Sequence, residues 1–341
     1  MFKHRESAPR LSLALQGGGA HGAFTWGVLD ALLEDGRFEF DGISGTSAGA
    51  MNALALANGW LKGGAEGARE CLAAFWNGVA LMSHSELASP VMDASAVAPG
   101  TAWMMQLTRW FSPYQLNPLD LNPLRDLVVE LFDFERLRTE STFQLFVAAT
   151  HANSGHLKLF RNADLSADAL LASACLPTVH HAIMIDGEPY WDGGYAANPA
   201  VFPLFRYCDS RDILLVLLAP LEHERTPRGA EEIQQRTLEL GFNNAFLREM
   251  RLFVAMRDMA EESGWLSGTL EQRLRGARFH MIEGEEALGS LAATTKIVAN
   301  QAFLHRLRDA GRANAKRWLA AHALAVGHRP SVDIQKLFLP N

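Results

Sequence analysis

Residues 10–60 carry one pattern twice: a short apolar run, a glycine-bearing turn, then a segment whose large side chains recur at helical spacing. Leu11–Leu15 (LSLAL) is stopped by Gly17, Gly18 and Gly19, after which Phe24, Val28, Leu29, Leu32 and Leu33 repeat at helical intervals as far as Gly36. Phe40–Ser44 reads as a second strand, and the alanine-rich Ser47–Asn58 as a helix closed by Gly59. A strand, turn and helix followed by another strand is the unit that brings neighbouring strands into parallel register. The doubled unit therefore restricts the chain to an α/β architecture, with helices covering both faces of a mostly parallel sheet.

Downstream, strands are expected at residues 142–150 and 156–160, a helix at 166–175, and a strand end with a turn at Tyr190–Gly194. The run DILLVLLA (Asp212–Ala219) reads as a strand buried on both faces. Residues 230–262 and 292–326 have helical composition and flank a strand at Arg278–Ile282. From Cys71 to Pro123 the periodicity fades, and Trp76, Met82, Met92, Trp103, Met104, Met105, Trp110 and Phe111 crowd a proline-punctuated stretch that reads as an insertion. With no repeat, low-complexity tract or linker, residues 1–341 are expected to form a single domain with a helical C-terminal third.

Charge and cysteine content narrow the function. The balance of 31 basic against 38 acidic residues gives a net charge of −7, so no overall positive field draws the chain to nucleic acid. Three cysteines, Cys71, Cys175 and Cys208, are too few for a disulfide framework or a four-thiolate zinc site, and no H-E-x-x-H or paired Cys/His spacing occurs. No metal or cofactor is expected. The apolar run at Leu11–Leu15 is too short for a signal-peptide core, and no stretch is long enough to span a bilayer. A cytoplasmic protein with at most peripheral membrane contact is the expectation, and oligomeric state is left open.

Gly45-Thr-Ser-Ala-Gly49 is a G-x-S-x-G element between an expected strand and an expected helix, the context a nucleophile elbow requires. Glycines two residues before and after Ser47 leave room for neighbouring backbone at such a turn. Gly17-Gly-Gly-Ala-His-Gly22 places several backbone N–H groups where they could converge on an anion, but it satisfies neither the P-loop nor the dinucleotide pattern. A serine needs a base, and the candidates are Asp192, in Trp191-Asp-Gly-Gly194, and twelve histidines. A Ser-Asp-His triad would take its histidine from His223, His280, His305, His322 or His328.

Together these elements resemble the patatin-like lipid acyl hydrolases, including the catalytic domain shared with cytosolic phospholipases. Gly17–Gly22 looks like that family's oxyanion loop, Gly45–Gly49 like its nucleophile elbow, Ala172-Ser-Ala-Cys-Leu-Pro177 like its proline-bearing block, and Asp192-Gly-Gly194 like its aspartate motif. The resemblance covers residues 11–205 and leaves residues 206–341 as a strand and helical extension packing on that core. It implies a three-layer α/β/α fold and a serine lipid acyl hydrolase of phospholipase A type without cofactor. Ser47 would be the nucleophile, Asp192 its base, and the amides of Gly17, Gly18 and Gly19 the oxyanion hole. Gly45, Gly49, Gly22, Pro177, Gly193 and Gly194 would support them.

His21 stands where many members of that family carry Lys or Arg, so an acid-side pH dependence is expected there, against an exposed histidine without a role. His180 and His181 read as solvated or structural. The cluster at Trp103, Met104, Met105, Trp110 and Phe111 is expected to form an acyl-chain groove wall or lid, with core packing as the plainer alternative. Arg306, Arg308, Arg312, Lys316 and Arg317 make a basic helix, read as a solvated face with anionic headgroups as the other option. The expected substrate is a phospholipid or other acyl ester. Two other functions are a lipid-binding or regulatory protein with little turnover and an intracellular polyester or short-chain esterase.

Overall fold

In the computed structural model, which describes residues 8–83, 110–223, 225–262, 268–289, 291 and 293–339, β1 (Arg10–Leu15) runs through the interior of an eight-stranded sheet. All of Leu11–Leu15 is buried, as a strand covered on both faces requires. β2 (Glu39–Thr46) pairs parallel on one side of it and β7 (Asp212–Leu217) parallel on the other. Adding β3 (Gln144–His151), β5 (Ile183–Ile185), β6 (Glu188–Asp192) and β8 (Arg278–Glu283) gives the order β5-β6-β3-β2-β1-β7-β8. β4 (Leu157–Arg161) pairs with β3 off this path. β4, β5 and β6 join antiparallel, and the other pairings are parallel.

Register places the candidate residues on one row. Leu15 pairs with Gly45, Thr46 with Ala148, and Ala149 with Asp192. Continuing each ladder past the ends of β1 and β2 sets Gly17, Ser47 and Asp192 level with one another at the carboxyl edge of the parallel strands.

On one face of the sheet α1 (Gly22–Asp35) and α2 (Ala48–Ser83) bury Phe24, Leu29, Leu54 and Phe75. On the other face α4 (Ala230–Glu262) brings Phe246, Met250 and Phe253 against Phe146 and Phe279. α3 (Ala167–Ser173) belongs to the first face. α1 closes as expected on Gly36, which takes φ 69° and returns its N–H to the Leu32 carbonyl.

α2 departs from expectation. It continues through Gly59 to Ser83 and turns instead at Gly63 and Gly64, which leave helical geometry. Gly59 is small for another reason: a Cβ there would lie 2.2 Å from the Gly67 carbonyl oxygen, because the two halves of α2 meet at that point. Cys71–Ser83 is therefore helical rather than irregular. Cys71, Leu72, Phe75, Trp76 and Ala80 are buried at helical spacing, and the Trp76 indole N–H donates to Asn52 Oδ1 at 3.0 Å.

The C-terminal third extends the same sheet through β7 and β8 and lays α5 (Gln301–His322) along α1. The approach is close. A Cβ on Gly27 would meet the Arg308 carbonyl at 1.9 Å, and one on Gly311 the Phe24 carbonyl at 2.0 Å. The basic residues of α5 face partners: Arg312 binds Asp30 and Glu34, Lys316 lies 3.3 Å from Glu34, and Arg317 pairs with Glu286. Arg308 pairs with Asp309 and lies over Trp26, and Arg306 lies over Phe303. Their charge is compensated locally rather than presented to an anionic surface.

Gly311→Ala should lower the melting temperature by several degrees, since overpacking a backbone contact costs about 1–3 kcal/mol. Gly241→Ala on α4, where a Cβ meets nothing within 4 Å, should leave it unchanged or slightly raised. Thermal denaturation of the two variants checks the contrast.

Candidate active site

Ser47 sits between the end of β2 and the start of α2 with φ 54°, a left-handed conformation that a side-chain-bearing residue seldom adopts. The flanking glycines make the turn possible. A Cβ on Gly45 would lie 2.5 Å from the Gly49 carbonyl, and one on Gly49 would lie 2.1 Å from the Leu15 carbonyl oxygen. The Ser47 N–H donates to Ser173 Oγ at 2.9 Å, fixing the elbow to α3. α2 begins at the next residue, so the positive end of its dipole faces the serine.

Asp192 ends β6 with 1% of its surface exposed. Its carboxylate accepts a hydrogen bond at 2.7 Å from the Gly194 N–H and has the Ser47 hydroxyl near it. Burial raises its pKa to about 7, and the Gly194 amide and the Ser47 hydroxyl offset that rise only in part. A carboxylate of ordinary pKa near 4 is a weak base for a serine, so the dryness of this position supplies the missing basicity. Its backbone is clamped as well: the Asp192 N–H donates to the Cys175 carbonyl at 2.7 Å, and Thr150 Oγ1 donates to the Asp192 carbonyl at 2.8 Å. Residues 172–177 thus hold both halves of the pair, Ser47 through Ser173 and Asp192 through Cys175. Pro177 follows in a turn where Val179 and His180 both donate to the Leu176 carbonyl. Gly193 and Gly194 are in tight quarters, against the Ala148 carbonyl and the Phe242 ring of α4.

The glycine loop runs alongside, with a Gly17 Cβ only 2.8 Å from that of Ser47. The amides of Gly17, Gly18 and Gly19 do not stand equal. The Gly17 N–H donates to Asn198 Oδ1 at 2.7 Å and is thereby engaged, correcting its expected place as an oxyanion donor. The Gly18 and Gly19 N–H groups have no hydrogen-bond partner among the described residues, Gly18 being half-buried and Gly19 exposed. Gly22 lies against Ala48, where a Cβ would come within 2.6 Å of the alanine's own.

Asn198 and Gln16 have no counterpart among the residues picked out from sequence. The Gln16 side-chain N–H group reaches the Asn198 carbonyl at 3.3 Å and Asn243 Oδ1 at 3.1 Å, while Gln16 Oε1 accepts from Leu218 and Ala219 at 2.6 and 2.9 Å. A buried glutamine thus ties β1, the end of β7, α4 and the segment after Asp192 behind the loop. Its signal was a lone polar side chain closing an apolar strand before three glycines. Asn198 carried none.

His21 differs from expectation. It is buried, with its ring Nε2 hydrogen-bonded to Thr295 Oγ1 at 2.7 Å, and burial followed by the nearby Lys296 charge lowers its pKa to about 4. It therefore stays neutral at physiological pH and packs the loop rather than charging it. Among the described residues no hydrogen bond joins a histidine to Ser47 or Asp192. His280 is bound to Asp212, His305 to Asn77 and His223 to Glu239, and His181 stacks on Tyr114 at 4.1 Å. Trp103, Met104 and Met105 lie outside the described residues. Trp110 and Phe111 stand at the surface, Trp110 83% exposed, which removes them from the core.

An elbow serine level with a buried carboxylate, beside a glycine loop with two unbonded amides, is an arrangement that could carry out acyl transfer. A model of the patatin-like phospholipase family matches residues 13–205, which include Ser47, Asp192 and the glycine loop. The chain belongs to the patatin-like phospholipase family, and membership supports lipid acyl hydrolase activity in the broad sense. Among solved structures, VipD from Legionella pneumophila is similar at 18% identity and a TM-score of 0.42, over 92% of this chain and 67% of that one. ExoU of the Pseudomonas aeruginosa type III secretion system, solved in complex with SpcU, is similar at 15% identity and a TM-score of 0.26, over 96% and 75%. No curated protein matches in sequence.

The raised pKa of Asp192 has a thermodynamic sign. Between about pH 4 and pH 7 the folded chain keeps a proton there that the unfolded chain has released. Stability contributed by this group therefore falls as pH rises through that window, by up to about 4 kcal/mol. Asp192→Asn should flatten this part of the slope, as measured by urea midpoints across a pH series.

Proposed function

We propose that the chain is a serine lipid acyl hydrolase of phospholipase A type, cleaving fatty-acyl esters through a Ser47–Asp192 dyad and an acyl-enzyme. The observation that carries this reading is the placement of the elbow serine, in its left-handed turn, on the same row as a buried carboxylate whose pKa is raised to about 7. In the first step Asp192 takes the hydroxyl proton as Ser47 Oγ bonds to the ester carbonyl carbon. The resulting oxyanion lies between the Gly18 and Gly19 N–H groups and the N-terminal end of α2. The tetrahedral adduct collapses, the C–O bond to the alcohol breaks, and Asp192 returns its proton to the departing alkoxide. Water then gives a proton to Asp192 and attacks the acyl-Ser47 ester. Collapse releases the fatty acid, and the proton goes back to Ser47 Oγ. Every donor and acceptor in this sequence belongs to the chain itself, the substrate or water.

Contact with the lipid surface falls to the segment bearing Trp110, Phe111, Tyr114, Leu119 and Leu121, all exposed. The Tyr114 hydroxyl accepts from the Ala182 N–H at 3.2 Å, and its ring stacks on His181. This joins the apolar surface to the stretch that positions Asp192. Large aromatic side chains held outward on an ordered turn suit insertion into a lipid interface.

Ser47→Ala and Asp192→Asn should each lower turnover of an activated ester by about a thousandfold or more, with the double variant little worse than either single one because the two act as a unit. In the wild type kcat/KM should rise with pH through about 7 as Asp192 ionises. A fluorophosphonate should label Ser47 and no other residue. Retained turnover in either single variant would overturn the dyad.

Replacing Trp110 and Phe111 together with serine should reduce vesicle binding by about tenfold and depress hydrolysis of vesicle lipid more than that of a soluble short-chain ester. Cosedimentation and the ratio of the two rates check this. Equal losses on both substrates would assign the pair to folding instead.

A further inference from the structure

β8 ends the sheet on one side: β7 pairs with one of its edges, and among the described residues no strand pairs with the other. The Arg278 N–H donates to the Arg211 carbonyl and the Gly284 N–H to the Leu217 carbonyl, both toward β7. By the alternation of a strand, the main-chain groups of Phe279, Met281 and Glu283 therefore point outward. Ser331 covers the first of these, donating its N–H to the Phe279 carbonyl at 3.1 Å. The main-chain groups of Met281 and Glu283 have no hydrogen-bond partner among the described residues. Such a row of free donors and acceptors is a template for one more strand.

A groove of about 580 Å³ accompanies this open stretch, bounded by Met281, Ile282 and Glu283 of β8 and by Arg317, Trp318 and His322 of α5. Its charge is one-sided. Glu285 and Glu286 line it together with Glu283, and Arg317 pairs with Glu286. The carboxylates of Glu283 and Glu285 form no ion pair or hydrogen bond with any described residue. Burial, and then the charge of Glu285, push the Glu283 pKa up, as befits a carboxylate that lacks a cation. A second copy of the chain is a poor occupant, because pairing two β8 edges would add another set of unpaired carboxylates to the same short stretch.

We propose that β8 accepts an extended segment of a basic partner protein as an added strand. Its main chain pairs with Met281 and Glu283, and its lysine or arginine side chains enter the groove against Glu283 and Glu285. Main-chain bonds supply affinity in this mode of recognition, and the carboxylates supply the preference for a cationic sequence. β1 and β7 separate this edge from β2, the strand that leads to Ser47, so the surface is distinct from the candidate active site.

The test is fluorescence anisotropy of the full chain with a labelled heptapeptide of alternating lysine and valine, and with its counterpart carrying glutamate for lysine. The lysine peptide should bind at least about tenfold more tightly than the glutamate one, with an affinity that falls as salt is added. Glu283→Gln with Glu285→Gln should weaken it by about tenfold or more, whereas Asp126→Asn with Glu130→Gln, exposed outside the groove, should not. Met281→Pro, which removes an outward N–H at an edge where proline is tolerated, should weaken it likewise. Two further lysine peptides are N-methylated, one on the lysines and one on the valines. Because alternate residues of a strand face opposite edges, one methylation should cost about tenfold or more and the other little. Equal effects of the two would overturn strand addition, as would a lysine peptide bound no tighter than the glutamate one or indifferent to the Glu283 and Glu285 pair. A wild-type dimer in sedimentation that Met281→Pro dissolves would overturn the basic partner and give the edge to a second copy.

Discussion

Withdrawal of one carboxylate from water is the constraint around which the rest of the site is arranged. Asp192 is nearly inaccessible, and its neighbours are a serine hydroxyl and a backbone amide rather than a cation. An arginine or lysine at the same distance would have fixed the charge and lowered the pKa, leaving a poor base. The sheet produces this environment by closing over β6 on β3 and by setting Gly193 and Gly194 where side chains would collide with Ala148 and Phe242. The chain thus retains a destabilising group in its interior, and the clamps at Cys175 and Thr150 hold its backbone in place.

The glycine loop follows a similar logic with backbone instead of side chains. Gly17 gives its amide to Asn198, and that bond anchors the start of the loop so that the next two amides stay open. Behind it Gln16 spends both ends of its side chain on three other segments, and β7 is held to β1 beyond the last ladder bond. The two amides are therefore fixed by the fold itself, the condition under which backbone donors stabilise a developing anion best.

Much of this was legible in the chain because the relevant signals are local. The two strand–turn–helix units, the G-x-S-x-G turn and the Asp-Gly-Gly turn each depend on residues within a few positions of one another, and each formed where the spacing placed it. Gly59 misled because a glycine ends a helix or permits close packing with the same composition, and only the fold of α2 upon itself distinguishes the two. The second half of α2 was obscured by its junction with an aperiodic, tryptophan-rich stretch. His21 looked exposed because nothing nearby in sequence covers it, and its cover, Thr295 and Lys296, comes from the far end of the chain. Asn198 was hidden for the same reason, since a bond across 181 positions leaves no trace in spacing.

The distance along the chain between the parts of the site also has a temporal meaning. Ser47 belongs to a unit that can form soon after synthesis begins, whereas its partner arrives 145 residues later and the residues that cover the glycine loop later still. Long-range pairings of this kind close last, after the local units exist. A nascent chain therefore carries the serine with no base beside it and no anchored loop for most of its emergence. Only when β6 docks on β3 and the C-terminal third settles on α1 do Ser47 and Asp192 stand on one row beside a covered glycine loop. The order of the elements thus makes completion of the fold the step that assembles the candidate site.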